Sequence, residues 1–133
     1  MDASRCFDVV VVGSGAAGLS AALAAAVSGA RVLVVEKAQS IGGTTAMSGG
    51  CIWVPNHHYQ EAISVIDSHV LALDYIRAIS PEGWHNQEEP LWAAFVHNAP
   101  KMLKFIEENS PTRFKPNREP DPYAEVLGGL AFG

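Results

Sequence analysis

Two short, almost continuously apolar runs lie on either side of an alanine-rich stretch near the start of the chain. The first run, residues 7–12, contains four successive valines, and the second, residues 31–36, reads RVLVVE. Such valine-rich runs predict strands that are buried on both faces. Residues 16–28 between them predict a helix, with Gly29 as its C-terminal cap. The pattern therefore predicts a β-α-β unit over residues 7–36, in which a helix joins two parallel strands.

The rest of the chain has a weaker pattern. Residues 51–55, CIWVP, predict a short strand, and residues 111–122, which hold four prolines, predict an extended loop. Between these stretches, apolar residues recur at helical spacing. Three helices are predicted: one capped by Asp67 or Ser68 that runs to about Ile79, one over residues 88–97, and one that Asn98 begins.

A glycine pattern lies between the first strand and the first helix. Gly13, Gly15 and Gly18 form G-x-G-x-x-G, and Glu36 ends the next strand. In this context Gly13 permits a tight turn, Gly15 lets the backbone approach a pyrophosphate, and Gly18 lets the helix pack on the strand. The helix N-terminus offers N–H groups to phosphates, and Glu36 is expected to accept hydrogen bonds from two ribose hydroxyls, which disfavours NADP. These residues predict a dinucleotide site, with a turn that binds no ligand as the alternative.

A second glycine-rich stretch favours FAD over NAD. Residues 41–50, IGGTTAMSGG, follow the second strand closely. A plain NAD domain does not need such a loop, whereas a flavin has to be held over the sheet edge. Backbone N–H groups near Gly43 and the Thr44 and Thr45 hydroxyls are expected to hold phosphate oxygens, with residues 48–50 against the flavin ring. The predicted cofactor-binding residues are Gly13, Gly15, Ala16, Ala17, Gly18, Glu36, Lys37, Gly43, Thr44, Thr45, Ser48, Gly49 and Gly50.

The chain resembles a known family of flavoenzymes in several stretches. DVVVVGSGAAGLSAALAAAVSGARVLVVEKA, GGTTAMSGG and IWVPN are similar to the FAD-dependent family of fumarate reductases, succinate dehydrogenase flavoproteins and 3-ketosteroid dehydrogenases. SGGCIWVPN and DPYAEVLGG most resemble the 3-ketosteroid Δ1-dehydrogenase branch. The resemblance implies an α/β fold: the N-terminal part of a Rossmann-like FAD-binding domain, with a parallel sheet and inserted helices. Its expected parts are the β-α-β unit 7–36, a flavin loop 37–56, a helical insertion 60–110 and a Pro-rich loop 111–133.

The resemblance also implies an activity. A flavin-dependent dehydrogenase of this branch takes a proton beside a ketone with a base, while flavin N5 takes hydride from the next carbon. Tyr123 matches a tyrosine that assists this base and is the predicted catalytic residue, with a surface loop tyrosine as the alternative. Gly43 stands where succinate dehydrogenase flavoproteins carry the histidine that binds FAD covalently. Noncovalent FAD is therefore expected.

The length of the chain leaves two other functions open. Members of this family run to several hundred residues, so the 133-residue chain is expected to be an N-terminal fragment that is inactive alone. One alternative is a fumarate-reductase-like flavoprotein, which would need an arginine cluster for dicarboxylates. The other is a truncated, noncatalytic chain that binds FAD.

Charge and composition narrow the partners further. The formal net charge is −5 and the nine Lys and Arg residues are scattered, so nucleic acid is not an expected partner. Glycines and serines interrupt the apolar residues 9–27, which argues against a transmembrane segment. Two cysteines, Cys6 and Cys51, fit a reducing compartment, and the cytoplasm is the predicted location. The expected partners are a steroid-like ketone and an electron acceptor, and the five histidines suggest no metal site.

Overall fold

The computed structural model describes residues 6–131 of the chain. The ends of the predicted domain, residues 1–5 and 132–133, lie outside the described residues. The chain divides after Cys51 into two compact units. This boundary lies within residues 37–56, the stretch predicted to form the flavin loop.

The first unit contains two parallel strands joined by a helix. Strand β1 (Val9–Val12) pairs with strand β2 (Val32–Val35), and helix α1 (Ala16–Val27) connects them. In the register of this pair, Val9 lies opposite Val32. The β-α-β arrangement predicted from the two valine-rich runs is therefore confirmed.

Helix α1 ends in two hydrogen bonds that turn the chain toward β2. The N–H of Gly29 donates to the carbonyl of Ala26 at 2.9 Å, and the N–H of Ala30 donates to that of Ala25 at 3.1 Å. Gly29 has φ +88°, a left-handed conformation that glycine adopts without a steric penalty. Gly29 therefore forms the predicted cap of the helix.

The prediction that β1 and β2 are buried on both faces is wrong, because no residue of either strand is buried. Side chains alternate across a strand, and Val10 and Val12 are 57% and 84% exposed. Val11 lies on the opposite face, where its Cγ1 approaches the position of Gly18 in α1. Because α1 covers one face only, the strand has one packed side and one open side within the first unit.

The second unit contains two helices and long loops. Helix α2 (His69–Ile79) and helix α3 (His85–Asn109) pack against each other. The hydroxyl of Ser68 accepts a hydrogen bond from the N–H of Leu71 at 3.2 Å, so Ser68 is the cap that begins α2. The buried apolar side chains of this unit are those of Val54, Ala72, Tyr75, Val96, Ala99 and Leu103.

The prediction of a strand at residues 51–55 is wrong, because these residues form no strand. Two of their side chains, those of Trp53 and Val54, pack within the second unit instead. The ring of Trp53 stacks on those of Tyr75 and Phe95, with centroid distances of 5.5 and 5.7 Å. Val54 is buried in the core. The apolar residues of this stretch are therefore used for packing rather than for pairing with another strand.

The two helices predicted over residues 88–97 and after Asn98 are one continuous helix, α3. The side-chain amide of Asn98 donates to the carbonyl of Ala94, four residues earlier, at 2.8 Å. This contact is made inside a helix and caps nothing. Pro100 lies within α3 and supplies no N–H for the usual helical bond. No described helix is both long enough and apolar enough to cross a membrane.

We expect Gly18→Ala to destabilise the first unit. A methyl group on Gly18 would lie 2.1 Å from the carbonyl oxygen of Gly13, which backbone pairing with β2 holds in place. This overlap should outweigh the gain of about 1 kcal/mol that alanine offers in a helix interior. The net loss of unfolding free energy should be about 1–3 kcal/mol, measured by urea denaturation.

Gly49→Ala is the matched control, because no atom lies within 4 Å of the added methyl group. Equal stability of the two variants would contradict the close approach of α1 to β1.

Candidate functional site

The predicted cofactor residues of the first unit meet at the carboxyl ends of β1 and β2. Gly13 follows β1, Glu36 follows β2, and α1 begins three residues after Gly13. The N–H of Gly13 donates to the carbonyl of Val35 at 2.8 Å, which extends the strand pairing into the turn. Gly13 has φ +96°, a conformation that favours glycine. This sheet edge is where ligands bind in open α/β sheets.

Among residues 6–131, which the structure describes, nothing comparable requires glycine at position 15. Its φ of −69° and ψ of 178° are open to any residue. A methyl group added there would meet only Thr45 Oγ1 at 3.8 Å and the carbonyl oxygen of Gly42 at 3.9 Å. The space is bordered by the N-terminus of α1, whose first N–H groups have no partner within the helix. A ligand pyrophosphate that approaches the backbone closely fits this space.

The carboxylate of Glu36 is held by donors from its own chain. Oε1 accepts from the N–H of Ala38 at 2.9 Å, while Oε2 accepts from the N–H of Ser14 at 2.9 Å and its hydroxyl at 2.6 Å. The bond from Ala38, followed by those from Ser14, lowers the pKa of Glu36 to about 2. Glu36 is therefore ionised at neutral pH.

These bonds also limit what Glu36 can offer to a ligand. A carboxylate has about four acceptor positions, and the three bonds leave at most one, on Oε1. The two ribose bonds expected of Glu36 stay a prediction. One direct hydrogen bond from a ribose hydroxyl fits the arrangement.

Ser14 is a site residue that the glycine pattern did not reveal, because it occupies a variable position of G-x-G-x-x-G. It is 1% exposed, and its hydroxyl accepts from the N–H of Gly42 at 2.8 Å. A hydroxyl between two glycines of a buried turn, near a carboxylate at the end of the next strand, was the available signal. Ser14 contacts both Glu36 and the second glycine-rich stretch.

The predicted flavin loop contains a short 3-10 helix, Gly43–Met47, which the glycine content had concealed. The hydroxyl of Thr45 accepts from the N–H of Ala16 at 3.1 Å, and a methyl group on Gly43 would lie 3.7 Å from Gly15 Cα. The structure thus brings Gly43 and Thr45 to the N-terminus of α1. Thr45 keeps its own O–H for donation to a phosphate.

The remaining cofactor candidates lie on the surface of this unit. Ser48 donates its hydroxyl to the carbonyl of Thr45 at 2.8 Å and accepts from the N–H of Gly50 at 3.2 Å. Gly50 has φ +75°. These bonds lie within the loop itself. The exposed candidates are Ala16, Ala17, Lys37, Gly43, Thr44, Thr45, Ser48, Gly49 and Gly50.

Tyr123 belongs to the second unit, so the structure places it in a different unit from the cofactor candidates. Its side chain is 50% exposed. Asp121 Oδ1 accepts from the backbone N–H of Tyr123 and from the hydroxyl of Tyr75, both at 2.7 Å. Burial, followed by the bond to Asp121, raises the pKa of Tyr75, so its phenol stays protonated at neutral pH. Asp121 thus fixes the backbone of Tyr123 relative to α2.

The glycine pair after Tyr123 has a packing role. A methyl group on Gly128 would lie 2.1 Å from the carbonyl oxygen of Leu71 and 2.6 Å from the backbone nitrogen of Tyr75. Its φ is +79°. The segment that carries Tyr123 therefore packs directly on the backbone of α2. Within the described residues 6–131, no group of three or more His, Cys, Asp or Glu side chains is placed to hold a metal ion.

Comparison with known proteins gives a consistent picture. The sequence profile of a family described as "FAD binding domain" matches residues 8–133. The chain is 47% identical over 102 residues to 4-oxocyclohexanecarboxylate 2-dehydrogenase of Sinomonas cyclohexanicum, covering 76% of this chain and 17% of that protein. It is 42% identical over 129 residues to 3-oxosteroid 1-dehydrogenase of Mycobacterium tuberculosis, covering 96% and 22%.

A solved structure is also similar. It is that of 3-ketosteroid Δ1-dehydrogenase from Sterolibacterium denitrificans in complex with 1,4-androstadiene-3,17-dione, with a TM-score of 0.79 and 37% identity. The match covers 96% of this chain and 22% of that protein. The α/β fold and the resemblance stated from the sequence are confirmed. The chain spans about a fifth of the length of these relatives.

We expect Gly15→Ala to leave the first unit folded and to weaken FAD binding. The added methyl group meets only ordinary contacts, so the loss of unfolding free energy should stay below about 1 kcal/mol. The methyl group would occupy the space proposed for the pyrophosphate, and a lost hydrogen bond to a charged group costs roughly tenfold in affinity or more. Titration of flavin fluorescence measures this, and unchanged affinity would place the pyrophosphate elsewhere.

We expect the stability contributed by Glu36 to depend on pH. Because the folded-state pKa is depressed from 4.5 to about 2, this contribution is complete above pH 4.5 and is lost as pH falls toward 2. Glu36→Gln should therefore be less stable than the parent near neutral pH, with a difference that shrinks in acid. Urea denaturation over a pH series measures the difference, with Glu108→Gln as control, and a constant gap would contradict the carboxylate's role.

Proposed function

This chain belongs to the FAD binding domain family, and from that premise we propose that it forms the FAD-binding part of a dehydrogenase that acts on cyclic ketones. The observation that carries the proposal is the site at the carboxyl ends of β1 and β2. There the glycine turn, Glu36 and Thr45 surround the N-terminus of α1 within one unit. The proposed substrate is a 3-ketosteroid.

The residues present fit the cofactor as follows. The N–H of Ala17 faces the pyrophosphate, together with the Thr44 and Thr45 hydroxyls. The N–H of Ala16 donates to Thr45 Oγ1 and so orients that hydroxyl at the same site. Oε1 of Glu36 accepts from a ribose hydroxyl. Gly43 stands at the position where a covalent linkage would need a histidine, so FAD is held noncovalently. Two further contacts are proposed. Lys37 lies near the ribose, and the flavin ring lies along the loop at Ser48, Gly49 and Gly50.

The chemistry divides between cofactor and protein. Bound FAD supplies the acceptor for the hydride that leaves the substrate. A base removes a proton from the carbon beside the ketone. We propose that Tyr123 assists this base by sharing a proton with it through a hydrogen bond. Two features support this role: the half-exposed side chain of Tyr123 is open to a ligand, and Asp121 fixes its backbone.

The substrate class comes from the relatives. Both are named as dehydrogenases of oxo compounds, one of a 3-oxosteroid and one of 4-oxocyclohexanecarboxylate. Dehydrogenation beside a ketone is the chemistry that these names share. The second proposed partner is an electron acceptor that reoxidises the flavin. The proposed location is the cytoplasm.

A chimaera tests the function. This chain replaces the matched segment of the Mycobacterium tuberculosis 3-oxosteroid 1-dehydrogenase, and the flavin absorbance is followed without oxygen after a 3-ketosteroid is added. We expect a yellow protein whose flavin is reduced by the steroid. Tyr123→Phe should keep FAD and slow flavin reduction by up to about 100-fold, the low end for an acid–base partner. Tyr59→Phe, which removes a phenol bonded to Glu107 in the same unit, is the matched control.

Each failure of this experiment has its own meaning. A chimaera that keeps FAD but is not reduced by the steroid would contradict a dehydrogenase role for this segment. A chimaera that folds without FAD would favour a noncatalytic chain. Equal rates for Tyr123→Phe and Tyr59→Phe would make Tyr123 a surface residue of the loop.

A further inference from the structure

The hydroxyl of Ser14 joins three segments that are distant in sequence. It donates to Glu36 Oε2 at 2.6 Å, 22 residues away, and accepts from the N–H of Gly42 at 2.8 Å, 28 residues away. The backbone N–H of Ser14 adds a second bond to the same carboxylate oxygen at 2.9 Å. Ser14 is 1% exposed, so its end of these bonds is shielded from water, whereas Glu36 and Gly42 are partly exposed.

Gly42 transmits this contact to the helix N-terminus. It has φ +108° and stands immediately before the 3-10 helix Gly43–Met47. That helix carries Thr45, whose hydroxyl accepts from the N–H of Ala16 at 3.1 Å. The carbonyl of Gly42 also accepts from the N–H of Ala46 at 3.2 Å. The position of Gly42 therefore sets the position of Thr45 beside α1.

We propose that Ser14 is a positioning residue for FAD, which holds the Glu36 carboxylate and the Gly42 turn in their binding arrangement before the cofactor arrives. Ser14 acts through these two neighbours. An arrangement formed in advance removes the cost of ordering the loop at the moment of binding. The inference rests on the proposed FAD site and names the residue that prepares it.

The protonation of Glu36 gives this role a signature that a purely structural serine would lack. The groups facing the carboxylate are the hydroxyl and N–H of Ser14 and the N–H groups of Lys37 and Ala38, none of which titrates. Loss of the Ser14 hydroxyl removes one of the donors that favour the charged form. As the pH is lowered, the FAD affinity of Ser14→Ala should therefore begin to fall at a higher pH than that of the parent.

The test uses the 133-residue chain and its Ser14→Ala, Glu36→Gln and doubly substituted variants. FAD dissociation constants are measured by flavin fluorescence over a pH series. Ser14→Ala should weaken FAD binding about tenfold, the effect of one hydrogen bond to a charged group. In the double variant, the losses of FAD affinity caused by Ser14→Ala and by Glu36→Gln should not add fully, because Ser14 acts through Glu36. Ser28→Ala is the control and should match the parent. Among the described contacts, the Ser28 hydroxyl donates only to the carbonyl of Ala24.

A second measurement needs no variant. Hydrogen exchange of the Gly42 N–H in the unsubstituted chain, followed by NMR, should already be slow without FAD and should change little when FAD binds. Fast exchange that becomes slow only with FAD would overturn the proposal.

The outcomes separate this inference from the proposed function. If the parent binds FAD and Ser14→Ala binds it with the same affinity and pH dependence, the role of Ser14 alone is overturned. Losses of affinity that add fully in the double variant would overturn it as well. A parent chain that binds no FAD would overturn both.

Discussion

The carboxylate of Glu36 is the group on which the geometry of the first unit depends. It lies at the end of β2 and accepts from Ser14 in the turn that follows β1. This contact fixes the turn against the strand, while the close approach of Gly18 to the Gly13 carbonyl fixes the start of α1. The helix N-terminus, with its partial positive charge, is thereby aimed at the edge of the sheet. A buried hydroxyl and a carboxylate thus orient the end of the helix that we propose faces the phosphates.

The second unit uses different means to place its candidate residue. Tyr123 lies in an irregular loop, and its position is set by a carboxylate and a glycine. Asp121 joins its backbone to the phenol of Tyr75, and Gly128 lets the loop approach α2 more closely than any side chain would allow. A loop held in this way can present a half-exposed side chain without a strand or helix of its own.

Local patterns predicted much of this architecture because they reflect local physics. The valine-rich runs, the cap at Ser68 and the turn at Gly29 depend on neighbours within a few residues, and each was recognisable in the sequence. Burial depends on contacts that the pattern does not contain. The open face of β1 and the packing of Trp53 on helices could not be inferred from apolarity alone. Pro100 and Asn98 suggested a break in α3, yet packing of Ala99 and Leu103 in the core favours a continuous helix.

The candidate site was predicted in part for the same reason. Glycines at fixed spacing report backbone conformation directly, so the turn and its acidic partner were identifiable. Ser14 was missed because its role arises from two contacts, 22 and 28 residues away, that form only in the folded unit. The donors that Ser14 and Ala38 supply to Glu36 were also missed, because the glycine pattern does not show which backbone N–H groups point at the carboxylate.

The central claim is that the first unit binds the pyrophosphate and a ribose of FAD at the edge of its two strands. An NMR titration of the isotope-labelled chain with FAD, compared with NADP, tests it most directly. Our account predicts that FAD shifts the backbone amides of residues 13–17, 36–38 and 42–50 far more than any others, and that NADP shifts them weakly. Unchanged amides in these three segments, or the largest shifts in the second unit, would contradict it.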